Sequence, residues 1–332
     1  MRWGMGVCCR GKEVEGDLHN VERSMMTDLE QVDFGGFKSG YVALLGKPNV
    51  GKSTLLNHYI GQKIAAVSFK PQTTRRRQLG ILTTDTAQVI FVDTPGLHSG
   101  AYKLSEFINA EARFALMDAD LILFLVDASQ WPDREDQQLA QEVAEKAPNT
   151  QKLLVLNKID LVEQPAAQQI ENAYTGLLDF DETIRISAIT AVGRDALLER
   201  IIQLLPEGPK YFPEGQITGT YEREIAEDLI RAAALTFLRD EVPYGIYVRV
   251  DDYKTRENDM LYIHATVIVE RDSHKGMVIG RGGSMIKQIS TAARQEIEEM
   301  SGNPVFLELK VKVEKNWRND PAFLKRHGLS HD

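Results

Sequence analysis

Gly46-Lys47-Pro48-Asn49-Val50-Gly51-Lys52-Ser53 sets two glycines, a lysine and a hydroxyl at the spacing of a phosphate-binding loop. Glycines let main-chain N–H groups converge on phosphate oxygens, and the following helix N-terminus adds its positive end. Lys52 would reach the β- and γ-phosphates, the Ser53 hydroxyl would ligate Mg²⁺, and Thr54 opens the helix beside them. A chance glycine turn is the alternative, but an apolar run (Tyr41–Leu45) precedes the loop and helix-spaced Leu55, Leu56, Tyr59 and Ile60 follow.

Such a loop serves ATPases, kinases and GTPases alike, so later motifs must choose. Asp93-Thr94-Pro95-Gly96 follows the apolar run Val89–Val92, where a carboxylate can reach the Mg²⁺ shell and the Gly96 N–H can meet the γ-phosphate. Asn157-Lys158-Ile159-Asp160 follows Leu153–Leu156. The Asp160 carboxylate can accept both N1–H and the exocyclic amine of guanine, a donor pair that adenine lacks. Ser187-Ala188, after Ile184–Ile186, would supply a main-chain N–H to the guanine oxygen. Each motif alone is weak; in this order, at strand ends where open α/β sheets bind ligands, they point to guanine. A polar stretch, Ser68 to Arg77, stands where a γ-phosphate-sensing segment belongs. Thr74, with Thr73 as the alternative, would complete the Mg²⁺ shell while GTP is bound. Lys52, Thr74 and Gly96 are thus the expected catalytic groups. Arg75, Arg76 and Arg77 read equally as a solvated charge run or as a contact to RNA or another partner.

A second candidate site lies far along the chain. Val278-Ile279-Gly280-Arg281-Gly282-Gly283-Ser284-Met285-Ile286-Lys287 is apolar, then glycine-rich and basic, then helical. A Gly-x-x-Gly turn between helices lets a nucleic-acid backbone approach closely, the KH manner of holding about four single-stranded nucleotides. The same pattern makes tight helix connections elsewhere. Here the surrounding order is helix, strand, strand, helix, turn, helix, strand, which suits an α+β KH domain of type II. The RNA contacts expected are Val278, Ile279, Gly280, Arg281, Gly282, Gly283 and Lys287.

The elements that must position these groups follow from periodicity. Apolar runs at Tyr41–Leu45, Val89–Val92, Leu121–Val126, Leu153–Leu156 and Ile184–Ile186 alternate with helical stretches such as Asp136–Lys146 and Ala196–Leu205. That alternation predicts a mostly parallel sheet with helices on both faces, the P-loop α/β architecture. Leu79–Thr83 and Ala87–Val92 read as one antiparallel hairpin within it. Pro206, Gly208, Pro209, Pro213 and Gly215 mark a linker. The expected division is a disordered extension at 1–39, a GTPase domain at 40–206, a linker at 207–219 and a KH domain at 220–332. In the extension, Cys8-Cys9 reads as an acylation or metal site or simply as part of a disordered tail.

With 332 residues the chain is too long for one ordinary core and fits two domains. Its 43% apolar and 26% charged content excludes collagenous and wholly disordered classes. Two cysteines suggest a reducing compartment, and no apolar run is long enough for a membrane span. A net charge of -9 argues at first sight against nucleic acid. The distribution argues otherwise: from Arg271 to Arg326 eleven Lys and Arg stand against seven Asp and Glu, so RNA should meet one end of the molecule.

From about Tyr41 to Leu329 the chain resembles the Era GTPases. The carriers are Gly46–Ser53, Gln72-Thr73-Thr74-Arg75, Asp93–Gly96 with Leu97-His98, Asn157–Asp160, the KH stretch Met277–Lys287, and Val311-Lys312-Val313 with Trp317 and Leu324. The resemblance implies a GTP-hydrolysing switch that uses GTP/GDP and Mg²⁺. Its KH domain would bind single-stranded 16S ribosomal RNA near the 3′ end and help the 30S subunit mature. It also implies a cytoplasmic monomer loosely associated with the inner membrane. Leu97 stands where many small GTPases carry a water-orienting Gln. Asn49 matches an asparagine that related GTPases use to hold K⁺, so slow hydrolysis assisted by K⁺ is expected. A plain loop-shaping role is the other reading of Asn49. The competing function is an RNA-binding scaffold whose nucleotide pocket is structural; an adenine-dependent kinase is opposed by Asp160.

Overall fold

A computed structural model of the chain describes residues 34–67, 74–95, 102–256 and 259–330. Cys8, Cys9, most of the expected extension, Thr73, Gly96 and Leu97 lie outside these residues.

Strands β1 (Lys38–Leu45), β2 (Gln78–Thr83), β3 (Ala87–Asp93), β4 (Leu121–Asp127), β5 (Gln151–Asn157) and β6 (Glu182–Arg185) form one sheet in the order β2-β3-β1-β4-β5-β6. All neighbours are parallel except the β2–β3 hairpin. The central strands are continuous apolar runs because both faces are covered, and side-chain alternation sends neighbours to opposite cores. Val42, Leu44, Leu123 and Leu125 enter the core shared with α1 (Lys52–Ile60) and α5 (Arg194–Leu204). Ala43, Leu45, Ile122 and Phe124 enter the core beneath α3 (Arg134–Lys146) and α4 (Gln164–Thr175). α3 begins at a capping box in which Asp133 and Asp136 satisfy each other's main-chain N–H groups. α2 (Lys103–Met117) lies between β3 and β4 in sequence.

The second unit runs α6 (Glu222–Phe237), β7 (Tyr247–Thr255), β8 (Leu261–Val269), α7 (Asp272–Ile279), α8 (Ser284–Ser301), β9 (Val305–Val313) and α9 (Pro321–Arg326). Its sheet has the order β7-β8-β9, antiparallel then parallel. This is the α+β order expected of a type II KH domain. Ile225, Leu229, Ile289, Ala293 and Ile297 bring α6 and α8 onto it at helical spacing.

The proline- and glycine-rich stretch between the units is stitched to the first sheet. Ser39 N donates to Pro206 O at 3.0 Å, Ile81 N to Ile217 O at 2.8 Å, and Gln88 exchanges two 2.9 Å bonds with the Phe212 main chain. The units also share an apolar cluster. Leu104, Phe107 and Ile108 of α2 meet Tyr247, Ile268, Trp317, Phe323, Leu324 and Leu329. Trp317 is fully buried, and its indole N–H donates to Gly245 O at 3.0 Å. Each large apolar side chain so buried contributes about 1.5–3 kcal/mol, so the cluster ties the last helix to α2. Among the described residues no helix is long and apolar enough to cross a membrane.

Candidate nucleotide site and glycine turn

The loop after β1 turns back on itself through left-handed residues: Gly46 (φ 148°), Asn49 (φ 66°) and Gly51 (φ 109°). Side chains are excluded at both glycines. A Cβ on Gly46 would stand 2.2 Å from Leu125 O, and one on Gly51 2.2 Å from Asn157 Nδ2. Lys52 folds over the loop, donating to Gly46 O at 2.7 Å and Lys47 O at 2.9 Å. Burial pushes its ammonium down to about 8, with Asp93 opposing the shift. A buried cation near a cradle of N–H groups is suited to a polyphosphate.

Three oxygen donors gather at Asp93. Ser53 Oγ donates to Asp93 Oδ2 at 2.7 Å, and Thr74 Oγ1 approaches the same oxygen at 3.4 Å. Asp93 Oδ1 is buried without a partner, and burial raises the carboxyl above its ordinary range despite nearby Lys52. A hard divalent cation answers these features, since it takes oxygen ligands and would neutralise the desolvated carboxylate. Thr94 Oγ1 donates to Leu44 O at 2.7 Å, which ties the start of the segment after β3 to β1.

Asn157 is the bracket of the base end. Its Nδ2 donates to Val50 O at 2.7 Å, and its Oδ1 accepts from Ala188 N at 2.9 Å. The phosphate loop and the Ser187-Ala188 loop are thereby held together. This corrects one expectation: the Ala188 N–H is committed to Asn157 and the Ser187 N–H to Val192 O, so neither awaits a guanine oxygen. Lys158, at φ 66°, reaches Asp127 Oδ2 at 2.7 Å. Burial works against Asp127, but the Lys158 ammonium and Ser129 hold it below the usual carboxylate range. Asp160 is exposed at the cleft, with its carboxylate available to a base.

Pro48, Asn49, Gly51, Lys52, Ser53, Thr54, Thr74, Thr94, Asn157, Lys158, Asp160, Ser187 and Ala188 surround one cleft of about 420 Å³. Other expected residues face elsewhere. Lys47 turns away to Asp133 (2.7 Å) and Asp136 (2.8 Å), because the acidic cap of α3 offers it two carboxylates. Val50 is buried in the core, and Pro95 is described but does not line the cleft. Periodicity missed Ala66, Val67, Ile189 and Thr236, which also line it. Ala66 and Val67 follow a turn held by Asn57, whose Oδ1 accepts from Ile64 N and Ala65 N. Thr236 comes from the other unit and carries no local signal.

At the glycine turn, Gly280 (φ 73°), Gly282 (φ 58°) and Gly283 (φ 79°) connect α7 to α8. Arg281, Gly282 and Lys287 are exposed, while Ile279, Gly280 and Gly283 are half-buried. Val278 is fully buried in the core, so it offers RNA no side-chain surface; its expected contact is corrected to a packing role.

Comparison with known proteins agrees with this geometry. Residues 41–158 match the family model described as a 50S ribosome-binding GTPase, and residues 241–318 match the KH domain model. GTPase Era of Ruminiclostridium cellulolyticum is 44% identical over 292 residues, covering 88% of this chain and 97% of that protein. The chain belongs to the Era family of GTPases. GTPase Era of Geobacter metallireducens is 45% identical over 295 residues, covering 89% of this chain and 98% of its relative. Two solved Era structures superpose with a TM-score of 0.83. One, 36% identical, is Era in complex with MgGDPNP and nucleotides 1506-1542 of 16S ribosomal RNA; it covers 89% of this chain and 99% of that chain. The other, 37% identical, is a tyrosine-to-alanine variant of Aquifex aeolicus Era bound to GDP and AlF4⁻, covering 89% and 100%. As an Era-family member, this chain hydrolyses GTP to GDP and phosphate.

Proposed function

We propose that GTP hydrolysis in this chain gates its hold on single-stranded 16S ribosomal RNA near the 3′ end, in the service of 30S subunit assembly and maturation. The observation that carries the reading is the coexistence in one chain of the nucleotide cleft around Lys52 and Asp93 and the exposed Arg281-Gly282 turn with Lys287. Residues 40–206 act as the GTPase unit, 207–219 as the connection and 220–332 as the RNA-binding unit.

In the nucleotide cleft, main-chain N–H groups of the loop and Lys52 hold the β- and γ-phosphates. Ser53, Thr74 and Asp93 hold Mg²⁺, which when bound neutralises charge on the phosphate oxygens. Asp160 reads the guanine edge, with Asn157 fixing the loops on either side. Asn49, exposed at the mouth of the cleft, holds K⁺ beside the phosphates. The family resemblance is the support for a cytoplasmic monomer loosely associated with the inner membrane.

The test is RNA binding by the full chain in GTP-analogue and GDP states, with Gly282→Asp as the control. At φ 58° with open space around it, Gly282 tolerates an aspartate sterically, and the new charge faces the RNA backbone. Loss of RNA binding with intact nucleotide affinity is expected. Loss of both would refute a separable RNA site at this turn.

A further inference from the structure

The last two residues of α6 look onto two different sites. Thr236, in the RNA-binding unit, lines the nucleotide cleft together with Asn49, Val67 and Ile189. Phe237 lines a separate groove along α8, with Ser284, Lys287, Gln288 and Thr291. Ser284 and Lys287 follow the glycine turn directly. Consecutive helical residues point about 100° apart, so one rigid helix end can present a wall to each site. The backing is firm: Leu235 and Leu238 are buried, and Leu238 N donates to Ala234 O at 3.0 Å. Thr236 itself is exposed, and its hydroxyl donates back to Ala232 O at 3.0 Å. That bond fixes the side chain as part of the cleft wall.

We propose that the end of α6 clamps bound guanine nucleotide, with Thr236 as the contact and Phe237 as the residue through which RNA at Lys287 keeps the clamp shut. The second half rests on the RNA reading of the glycine turn; the first half does not. RNA seated against Lys287 and Phe237 restrains the helix end, and Thr236 then obstructs nucleotide exit. Because coupling is reciprocal at equilibrium, GDP strengthens RNA binding by the factor that RNA strengthens GDP binding.

Dissociation of radiolabelled GDP from the full chain tests this, with and without a saturating single-stranded oligonucleotide matching the 3′ end of 16S RNA. RNA binding is followed separately by fluorescence anisotropy. RNA should slow GDP release by about fivefold or more, and in Phe237→Ala the ratio of the two rates should fall to about one. Thr236→Glu, which sets a carboxylate in the wall of a polyanion site, should weaken GDP binding about tenfold without RNA, with an unchanged thermal melt. RNA that binds yet leaves GDP release unchanged or faster overturns the clamp. So does a Thr236→Glu chain that melts normally and binds GDP like the wild type. RNA that does not bind at all sinks the RNA reading and the Phe237 relay, while the Thr236 contact is still decided by its own variant.

Discussion

Arg75 Nη1 donates to the main-chain oxygen of Ile246 at 2.7 Å, which anchors the neighbour of Thr74 in the opposite unit. Its Nη2 adds Tyr244 O at 3.1 Å, and the guanidinium lies 5.7 Å from the Trp317 ring centre. Thr74 approaches Asp93, so the metal-binding corner and the RNA-binding unit meet in adjacent residues. A matching anchor precedes the cleft: Gln62 Nε2 donates to Met300 O at 2.6 Å, and Lys63 pairs with Glu296 and Glu299 at the end of α8.

Because Arg75 is buried, its removal strands two carbonyl acceptors and opens the unit interface. Arg75→Ala should cost on the order of 3 kcal/mol in urea denaturation. A loss below about 0.5 kcal/mol would show that the anchor contributes nothing to stability.

Asp160 is expected to decide the base. In Asp160→Asn the amide N–H₂ would face the guanine amine, donor against donor, while xanthine offers an oxygen there. Calorimetric titration should show GDP affinity falling about hundredfold or more and xanthosine diphosphate becoming the preferred ligand. Retained guanine preference would move the assignment away from Asp160.

Asn49 predicts an ion dependence. Exchanging K⁺ for Na⁺ at constant ionic strength should slow single-turnover GTP hydrolysis about fivefold or more, and Asn49→Ala should abolish the difference. Equal rates in the two salts with the wild-type chain would leave Asn49 a loop-shaping residue.

Glu227 predicts a pH dependence of stability. Burial pushes its carboxyl up to about 7, against the Val250 N–H bond at 2.8 Å and the charge of Arg76. A raised folded value means the folded chain holds the proton more tightly than the unfolded one. Its contribution is therefore present in full below about 4.5 and is lost as pH rises towards and through 7. Glu227→Gln keeps an oxygen for Val250 and removes the charge. It should be more stable than wild type by roughly 2 kcal/mol at pH 8 and no more stable at pH 4.5. A constant difference across that range would mean the carboxyl is not desolvated.

Much of the nucleotide site was legible because it is local. A phosphate loop needs its glycines, lysine and hydroxyl within a few residues, and the Asp93 and Asn157 motifs each sit at the end of an apolar run. The parallel sheet was legible for a related reason: strands covered on both faces must be apolar throughout. The Gly280–Gly283 turn and the order of elements around it likewise lie in contiguous sequence. The sequence by itself thus determined the two folds, the phosphate and base motifs and the guanine preference.

Tertiary structure decided what depends on distant parts meeting. It turned Lys47 onto Asp133 and Asp136, committed the Ala188 N–H to Asn157, and buried Val278. It joined Arg75 to Ile246 across 171 positions and set Thr236 in the wall of a cleft built by the other unit. None of these has a period or a motif. They follow from which groups two packed units leave within reach of one another, and burial then obliges each polar group to take the partner at hand.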